Sequence, residues 1–382
     1  MKVNYKQKKM KIGILTLPLA YNYGGILQAY ALQKTLRNMG YEVERINYPF
    51  IRKQPNIKTI FKRIVSKYVL HHYKGMIFYE RKYNAWLPIM MKNTQKFIEA
   101  NICSSKEISD FSEIASFEYD AIVVGSDQIW RPCMFQYDPA LAFLSFAKGL
   151  DIKRIAYAAS FGSSIWEYDP KQTKECSALA SLFDFVGVRE KEGVELCKQY
   201  LKVDSKFVLD PTLLLDYKDY LELIDKGNVS HSQGTLFDYT LDRSSNKKNI
   251  ISYIAKEKSL IPFSVNSKDG NYSCPLEERI AKPVESWLRG FYDSTVIVTD
   301  SFHACVFAII FRKPFFLIAN KERGMARFTS LLGSLGLLER MIKCIDDYKK
   351  LTFDIDYNEV YKKLNILREQ SYLLLKQSLE NK

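Results

Sequence analysis

The chain has 382 residues, of which 47% are hydrophobic, and a formal net charge of +13 at pH 7. This length exceeds what one ordinary hydrophobic core supports, so we expect two domains. The sequence has no run of 18 apolar residues and no apolar N-terminal region ahead of a small-residue cleavage site, so neither a transmembrane helix nor a signal peptide is predicted.

The positive charge is concentrated in two stretches. Residues 1–11 hold five lysines and no acid, and residues 51–100 hold eleven Lys/Arg against two glutamates. Such a basic face either meets an anionic membrane surface or a polyanionic acceptor, or serves only as a solvated surface. Nucleic acid is not predicted as a partner, because no recognition motif accompanies the charge.

The first predicted elements alternate between strand and helix. A basic tail over residues 1–11 precedes a strand at Lys11–Leu17. The loop Pro18–Gly25 then leads to an amphipathic helix at Ile26–Asn38 and a second strand at Val43–Tyr48. This order is typical of an α/β domain with a parallel sheet.

The loop before the first helix is a candidate binding loop. Gly24 and Gly25 allow a ligand to approach the backbone, and Asn22 and Tyr23 add polar and aromatic groups. The spacing is not G-x-G-x-x-G, so a dinucleotide is not predicted. The alternative, that the glycines only form the turn, stays open.

The next segments place polar residues after a buried strand. Residues 50–110 are predicted to be a basic helical insertion, and Tyr119–Gly125 is predicted to be a central strand. Ser126, Asp127 and Arg131 follow that strand, where they are expected to contact sugar hydroxyls or an anion. Asp127 could instead only cap a helix.

Two further strands also end in polar residues. Ile155–Ala158 precedes Ser160, and Phe185–Val188 precedes Arg189. Arg189 either points into a cleft or forms a surface salt bridge with a neighbouring glutamate. The polar stretch 216–235 shows no strong pattern and is the predicted domain boundary.

A second, weaker alternation begins at Leu236–Tyr239. Val296–Val298 is a buried strand, Thr299–Ser301 ends it and caps a helix, and Ala304–Phe311 is apolar on every side. His303 therefore lies in the first turn of a buried helix, beyond the carboxyl end of a strand. Open α/β sheets bind ligands there, and a helix amino terminus attracts anions.

His303 is the candidate acid and base, because imidazole exchanges protons near neutral pH. The alternative is a hydrogen-bonded histidine that caps its own helix. Arg323 and Arg327 are four residues apart, and on a helix they would share one face. They form either an anion clamp or a solvated face.

Seven short motifs follow one another along nearly the whole chain. They are N-Y-G-G at Asn22–Gly25, I-L-Q-A-Y-A-L-Q at Ile26–Gln33, V-G-S-D-Q-I-W at Val124–Trp130, V-R-E-K at Val188–Lys191, D-P-T at Asp210–Thr212, D-S-F-H at Asp300–His303 and N-K-x-R-G at Asn320–Gly324. In this order they resemble the polysaccharide pyruvyl transferase family. Many members carry Arg-x-His where this chain has Ser301-Phe302-His303.

The resemblance implies an α/β fold with two Rossmann-like domains that face each other across a cleft, similar to GT-B glycosyltransferases. We expect these domains at residues 12–215 and 235–345, and a helical C-terminal segment at 346–382 that packs back on the first domain. The resemblance also implies transfer of a pyruvyl group from phosphoenolpyruvate to two hydroxyls of a lipid-linked or nucleotide-linked sugar, during bacterial surface polysaccharide assembly.

The predicted site has His303 as its catalytic residue. Its substrate-binding candidates are Asn22, Tyr23, Gly24, Gly25, Ser126, Asp127, Arg131, Ser160, Arg189, Ser301, Arg323 and Arg327. No cofactor is expected, and no metal, because no His, Asp or Glu cluster has ligand spacing. Seven scattered cysteines without a C-x-x-C pair indicate a cytoplasmic protein, which could lie on the inner membrane face.

Two alternatives stay open. The first is a GT-B-type glycosyltransferase that uses a nucleotide sugar, for which Ser301 in place of arginine leaves room. Against it, no acidic residue is clearly placed to hold a ribose. The second is a non-catalytic glycan- or lipid-binding module, which predicts that the cationic groups do not converge around His303.

Overall fold

The computed structural model describes residues 9–72, 75–268, 274–318 and 324–381. Its strands are β1 Lys11–Leu15, β2 Glu42–Asn47, β3 Ser104–Glu107, β4 Ala121–Gly125, β5 Lys153–Ala159, β6 Phe185–Val188, β7 Lys206–Phe207, β8 Leu236–Tyr239, β9 Pro262–Phe263, β10 Val296–Thr299, β11 Phe315–Ile318 and β12 Met341–Ile342.

The α-helices are α1 Tyr23–Asn38, α2 Ile57–Tyr68, α3 Tyr79–Met90, α4 Lys92–Asn101, α5 Pro139–Ala142, α6 Pro170–Ala180, α7 Lys191–Leu196, α8 Tyr217–Gly227, α9 Ser245–Glu257, α10 Val284–Asp293, α11 Phe302–Ile310, α12 Ala326–Leu335, α13 Ile345–Tyr348 and α14 Tyr357–Glu380. A π-helical turn, Cys197–Leu201, continues α7. Short 3-10 helices span Phe111–Phe117, Ser145–Ala147, Pro211–Leu214, Leu276–Arg279 and Leu338–Arg340.

The strands form two parallel sheets. The first has the order β3-β2-β1-β4-β5-β6-β7, and the second has the order β12-β11-β10-β8-β9. In each sheet the chain adds strands on one side and then returns to the other side of its first strand. The crossover points lie between β1 and β4 and between β8 and β10. Ligands bind outside the carboxyl ends of strands at such points, so each sheet has one candidate binding edge.

The two halves of the chain share a continuous apolar core. The ring of Tyr23 on α1 stacks on Trp287 of α10 with centroids 5.5 Å apart. The Tyr23 hydroxyl donates a hydrogen bond to the carbonyl of Lys282 at 3.1 Å. Ile26 and Phe302 belong to the same buried cluster. This packing sets α1 directly against the second sheet and its helices.

The last helix, α14, packs back on the first sheet as the sequence predicts. Its Leu375 and Leu379 are buried in the cluster that contains Ile12 of β1. The Ser371 hydroxyl of α14 accepts a hydrogen bond from the backbone N–H of Leu209 at 3.0 Å. The prediction of two Rossmann-like sheets with a returning C-terminal helix is therefore confirmed.

Three local expectations differ from the structure. The first helix begins at Tyr23 rather than Ile26, because Asn22 caps it by accepting from the Gly25 N–H at 3.3 Å. The stretch 216–235 includes α8, which Asp216 caps and whose Tyr220, Leu223 and Ile224 are buried at helical spacing. The end of the basic segment 50–110 forms β3, which pairs with β2 at the sheet edge. The domain bounds themselves stay predictions.

Residues 1–8 of the expected basic tail lie outside the described residues. Within the described ranges, no helix combines the length and apolar character that crossing a bilayer requires.

Candidate active site

The carboxyl ends of both sheets meet at a buried cluster of charged side chains. Ser126 and Asp127 follow β4, Arg189 follows β6, and Asp210 follows β7. From the second sheet, His303 enters on the first turn of α11, whose nine residues are all buried. The parallel register brings the strand ends of each sheet to one edge. The shared apolar core, which contains Ile26 of α1 and Phe302 of α11, sets the second sheet's edge against the first.

Asp210 is the centre of this cluster. Its carboxylate accepts hydrogen bonds from Arg189 Nη1 at 2.6 Å and from the Ser126 hydroxyl at 3.0 Å. Its other oxygen accepts from the backbone N–H and the hydroxyl of Thr212, at 3.0 and 2.7 Å. His303 Nε2 lies 3.6 Å from the oxygen that Arg189 binds. Asp210 therefore joins the histidine of one sheet to the arginine of the other.

Arg189 is held between two carboxylates and an aromatic ring. Its Nη2 donates to Asp127 at 3.3 Å, and its guanidinium carbon lies 4.6 Å from the centroid of the Phe302 ring. Arg327, from α12, lies 5.4 Å from the same centroid. Two cations thus converge on Phe302 beside His303, contrary to what a non-catalytic module predicts. Arg189 does not form the surface salt bridge that was its alternative interpretation.

Glu190 organises the loop after β5. Its Oε1 accepts from the Ser160 hydroxyl at 2.9 Å and from the N–H groups of Phe161 and Gly162, at 2.8 and 3.1 Å. Just before this loop, Ala158 has a φ of +56° where the β5–β6 register shifts. A bulge with left-handed backbone re-aims the residues that follow it, so Ser160 turns toward Glu190.

The ionisable groups of the cluster have shifted pKa values. Burial alone raises the pKa of Asp210, but His303 and Arg189 oppose it, and the pKa of Asp210 lies well below its usual range. Burial raises the pKa of Glu190, with Arg189 opposing the shift. Burial, together with the like charge of Arg189, lowers the pKa of Arg327 to about 10. Burial lowers the pKa of Arg189, but the charges of Asp210 and Asp127 outweigh it and raise that pKa. Both arginines therefore remain cations at neutral pH.

Three buried polar atoms of the cluster make no hydrogen bond to any described residue. They are Arg189 Nε, Glu190 Oε2 and His303 Nε2, the last of which faces the Asp210 carboxylate at 3.6 Å, beyond hydrogen-bond distance. Buried polar atoms in native proteins almost always have partners, because leaving one unpaired costs about 1–3 kcal/mol. Several such atoms at one place fit a site that binds a polar ligand.

The first turn of α1 lies against the ring of His303. A Cβ atom built on Gly24 would lie 2.1 Å from His303 Nδ1, whereas one on Gly25 would approach nothing closer than 3.5 Å. Only glycine at position 24 leaves room for the imidazole. The close approach that the sequence assigned to a ligand is thus made by a histidine of this chain.

The two glycines provide a matched pair of substitutions. We expect Gly24→Ala to destabilise the protein by about 1–3 kcal/mol, since the methyl group must displace His303. Gly25→Ala should be neutral or slightly stabilising, because alanine adopts helical backbone more readily than glycine and its methyl group would meet only ordinary contacts. Urea unfolding of both variants measures the difference. Equal midpoints would contradict the packing of His303 on α1.

The other predicted residues that the structure describes are Asn22, Ser301, Arg131 and Tyr23. Asn22 is exposed at the cap of α1, and the Ser301 hydroxyl caps α11 by accepting from the Ala304 N–H at 3.5 Å. Arg131 is paired with Glu167, with Nη2 2.9 Å from a carboxylate oxygen. Tyr23 takes part in the core, as described above. Arg323 lies outside the described residues.

Asp210, Glu190 and Phe302 are not among the predicted site residues. All three lie inside the motifs D-P-T, V-R-E-K and D-S-F-H. The available signal was position: Glu190 comes soon after a predicted strand end, as Ser126 and Arg189 do, and Asp210 directly follows the apolar run Phe207–Leu209. Which of these residues share one carboxylate depends on the strand order, which the sequence does not state.

A separate cavity of about 530 Å³ lies at the carboxyl end of β2, between the sheet edge and α4. Its walls include Arg45, Asn47, Gln95 and Glu99. Arg45 is buried, and its Nη2 donates to Asn47 at 2.7 Å. No residue of the predicted site lines this cavity.

Within the described ranges, no group of three His, Cys, Asp or Glu side chains could hold a metal ion.

Solved structures support the fold. UGT89C1 of Arabidopsis thaliana, complexed with UDP-L-rhamnose, has a TM-score of 0.51 at 10% identity, with 97% of this chain and 98% of that chain covered. UDP-GlcNAc 2-epimerase from Neisseria meningitidis, bound to UDP-GlcNAc, has a TM-score of 0.50 at 11% identity, with 98% and 100% covered. At such identities the likeness concerns the fold alone, and it agrees with a GT-B-like arrangement.

Sequence comparisons concern the family. A search of curated proteins found no match. The family model described as polysaccharide pyruvyl transferase matches residues 22–322. This range includes Asp210 and His303 and covers well over half of the chain. The chain therefore belongs to the polysaccharide pyruvyl transferase family of enzymes.

Proposed function

We propose that this enzyme transfers the pyruvyl group of phosphoenolpyruvate onto two hydroxyls of a sugar, with His303 as acid and base. The observation that carries the proposal is the position of His303, 3.6 Å from a carboxylate that three other residues hold in place. Imidazole both gives and takes a proton near neutral pH, and a fixed carboxylate orients it.

Ketal formation requires one proton to be delivered and two to be removed. In the proposed reaction, His303 protonates the CH2 carbon of phosphoenolpyruvate, which becomes a methyl group and leaves C2 oxocarbenium-like. One sugar hydroxyl attacks C2 and returns its proton to His303. The second hydroxyl attacks C2 as the bond to the phosphate oxygen breaks, and its proton leaves with the phosphate. The products are a cyclic ketal and inorganic phosphate.

Asp210 holds His303 in place for this reaction. Asp127 and Asp210 share the guanidinium of Arg189, and the Asp210 oxygen that accepts from Arg189 Nη1 lies 3.6 Å from His303 Nε2. Asp210 acts through His303 and is a positioning residue in this proposal.

The donor carries a carboxylate and a phosphate, which need cationic and N–H donors. We assign this role to Arg327 and to the Nε–H of Arg189, which makes no hydrogen bond within the described ranges. Ser301 adds a hydroxyl at the amino terminus of α11, where an anion is stabilised. Arg323 joins this set on sequence grounds alone.

The acceptor in this proposal is a lipid-linked or nucleotide-linked sugar. Asn22 and Arg131 are partly or fully exposed at the edge of the cluster, so they are assigned to the acceptor side. Ser126 and Ser160 are buried, and they are assigned to the same side because they follow strand ends of the first sheet. All seven cysteines are free thiols, which supports a reducing, cytoplasmic location. The rival function is glycosyl transfer from a nucleotide sugar. Ligand binding to the same site distinguishes the two functions.

Ligand-induced stabilisation distinguishes the two functions. We expect millimolar phosphoenolpyruvate to raise the melting temperature, since a ligand at a hundredfold excess over its Kd stabilises the folded state by about 2.7 kcal/mol. UDP- and GDP-sugars tested as donors, without an acceptor, should give smaller shifts. Inorganic phosphate at the same concentration is the control for general anion binding. A response to a nucleotide sugar and none to phosphoenolpyruvate would favour the rival.

A further inference from the structure

Helix α2 turns its apolar side to solvent. Ile57, Phe61, Ile64 and Tyr68 recur at intervals of four, three and four residues, so they form one stripe along the helix. Their exposed fractions are 84%, 65%, 38% and 63%. A surface helix of a globular protein normally buries such a stripe, yet α2 has no buried residue.

The polar side of α2 holds the helix to the protein. Arg63 forms a two-fold salt bridge with Glu80 of α3, at 2.9 and 2.8 Å, and donates to the carbonyl of Ile77 at 2.9 Å. Lys67 Nζ donates to the carbonyl of Gly75 at 2.8 Å. These contacts fix the orientation of the helix and keep its apolar stripe outward.

The stripe continues beyond the helix. Val69 and Leu70, which directly follow Tyr68, are 67% and 53% exposed. We call Ile57, Phe61, Ile64, Tyr68, Val69 and Leu70 together the α2 patch. Contiguous exposed apolar residues of this number mark a surface that binds another apolar surface.

The charge around the α2 patch indicates which kind of apolar surface it binds. Residues 51–72 carry six Lys/Arg and no acid, and Lys58 and Lys62 lie exposed beside the stripe. A two-fold contact with a second copy of this chain would set these lysines against each other, which opposes self-association. An apolar stripe beside lysines matches the acyl chains and phosphates of an anionic lipid interface.

We propose that the α2 patch docks the enzyme on an anionic phospholipid surface. The apolar side chains enter the headgroup boundary, and Lys58 and Lys62 contact lipid phosphates. The net charge of residues 51–100 predicted a membrane contact from the sequence. In the structure, Arg63 and Lys67 are bound within the protein. The outward apolar stripe and the exposed Lys58 and Lys62 therefore make the contact. The inference does not depend on which donor the enzyme uses.

Flotation of the full chain with phospholipid vesicles tests this proposal. We expect binding to phosphatidylcholine vesicles that contain phosphatidylglycerol, little binding to phosphatidylcholine alone, and weaker binding at high salt. The double variant Ile57→Ser/Phe61→Ser and the double variant Lys58→Glu/Lys62→Glu should each bind at least tenfold more weakly. Circular dichroism melting of each variant checks that it folds.

Helix α14 offers matched controls. Ile366 and Leu373 are 58% and 50% exposed, and Lys362 and Lys376 are also exposed. Ile366→Ser/Leu373→Ser and Lys362→Glu/Lys376→Glu should bind vesicles as the unmodified chain does. The proposal is overturned if the α14 variants lose as much vesicle binding as the α2 variants do. It is also overturned if Ile57→Ser/Phe61→Ser binds vesicles as well as the unmodified chain does. A concentration-dependent dimer that Ile57→Ser/Phe61→Ser disperses would also overturn it, because the patch would then be a self-contact.

Discussion

The His303→Gln variant should lose turnover by at least about a hundredfold, which is the lower range for removing a general acid or base. Glutamine keeps a hydrogen-bonding side chain of similar length beside Asp210 but cannot carry a proton to the CH2 carbon of phosphoenolpyruvate. We expect its melting temperature to stay within a few degrees of the unmodified chain, and phosphoenolpyruvate should still raise it. Release of inorganic phosphate in single-turnover reactions measures the loss.

His231 provides the control for this experiment. It lies on the surface, where its side chain is 82% exposed and 3.6 Å from Asp293. His231→Gln removes the same group from a place with no part in the cluster, so turnover should not change. If His303→Gln retained activity, the proton carrier would have to be another group, while a surviving thermal response to phosphoenolpyruvate would leave the donor assignment intact.

The Arg189→Met variant should lower stability by about 3–5 kcal/mol, as measured for buried ion pairs that lose one partner. The change leaves Asp127 and Asp210 buried without their shared cation, and methionine retains most of the apolar stem. Arg131→Met is the matched control, because it also breaks an arginine–carboxylate pair, but one whose side chains are 21% and 28% exposed. Partly exposed pairs contribute about 0–1 kcal/mol.

Urea unfolding of the two variants compares these losses directly. A midpoint for Arg189→Met that matches that of Arg131→Met would contradict the view that Arg189 neutralises two buried carboxylates. The comparison also bears on the site, because Arg189 fixes Asp210 and Asp210 faces His303. A loss of turnover that exceeds the loss of folded protein would agree with that positioning role.

The alternation of strands and helices predicted the fold, since each buried β-branched run and each apolar period is a local feature. The same local features were harder to interpret where a helix is mostly polar, as in α8, or where a short strand pairs only at an edge, as β3 does. Such elements form because a sheet or a neighbouring helix is present to cover one face.

The sequence by itself determined the two-sheet architecture, the place of His303 in the first turn of a buried helix, and the family, because the motifs that carry them are contiguous. Only the tertiary structure decided that Asp210 binds Arg189 and faces His303, that Gly24 makes room for the imidazole, and that α2 turns its apolar stripe outward. The physical reason is that parallel strands bring distant carboxyl ends to one edge. Which side of an amphipathic helix is buried depends on partners that local sequence does not contain.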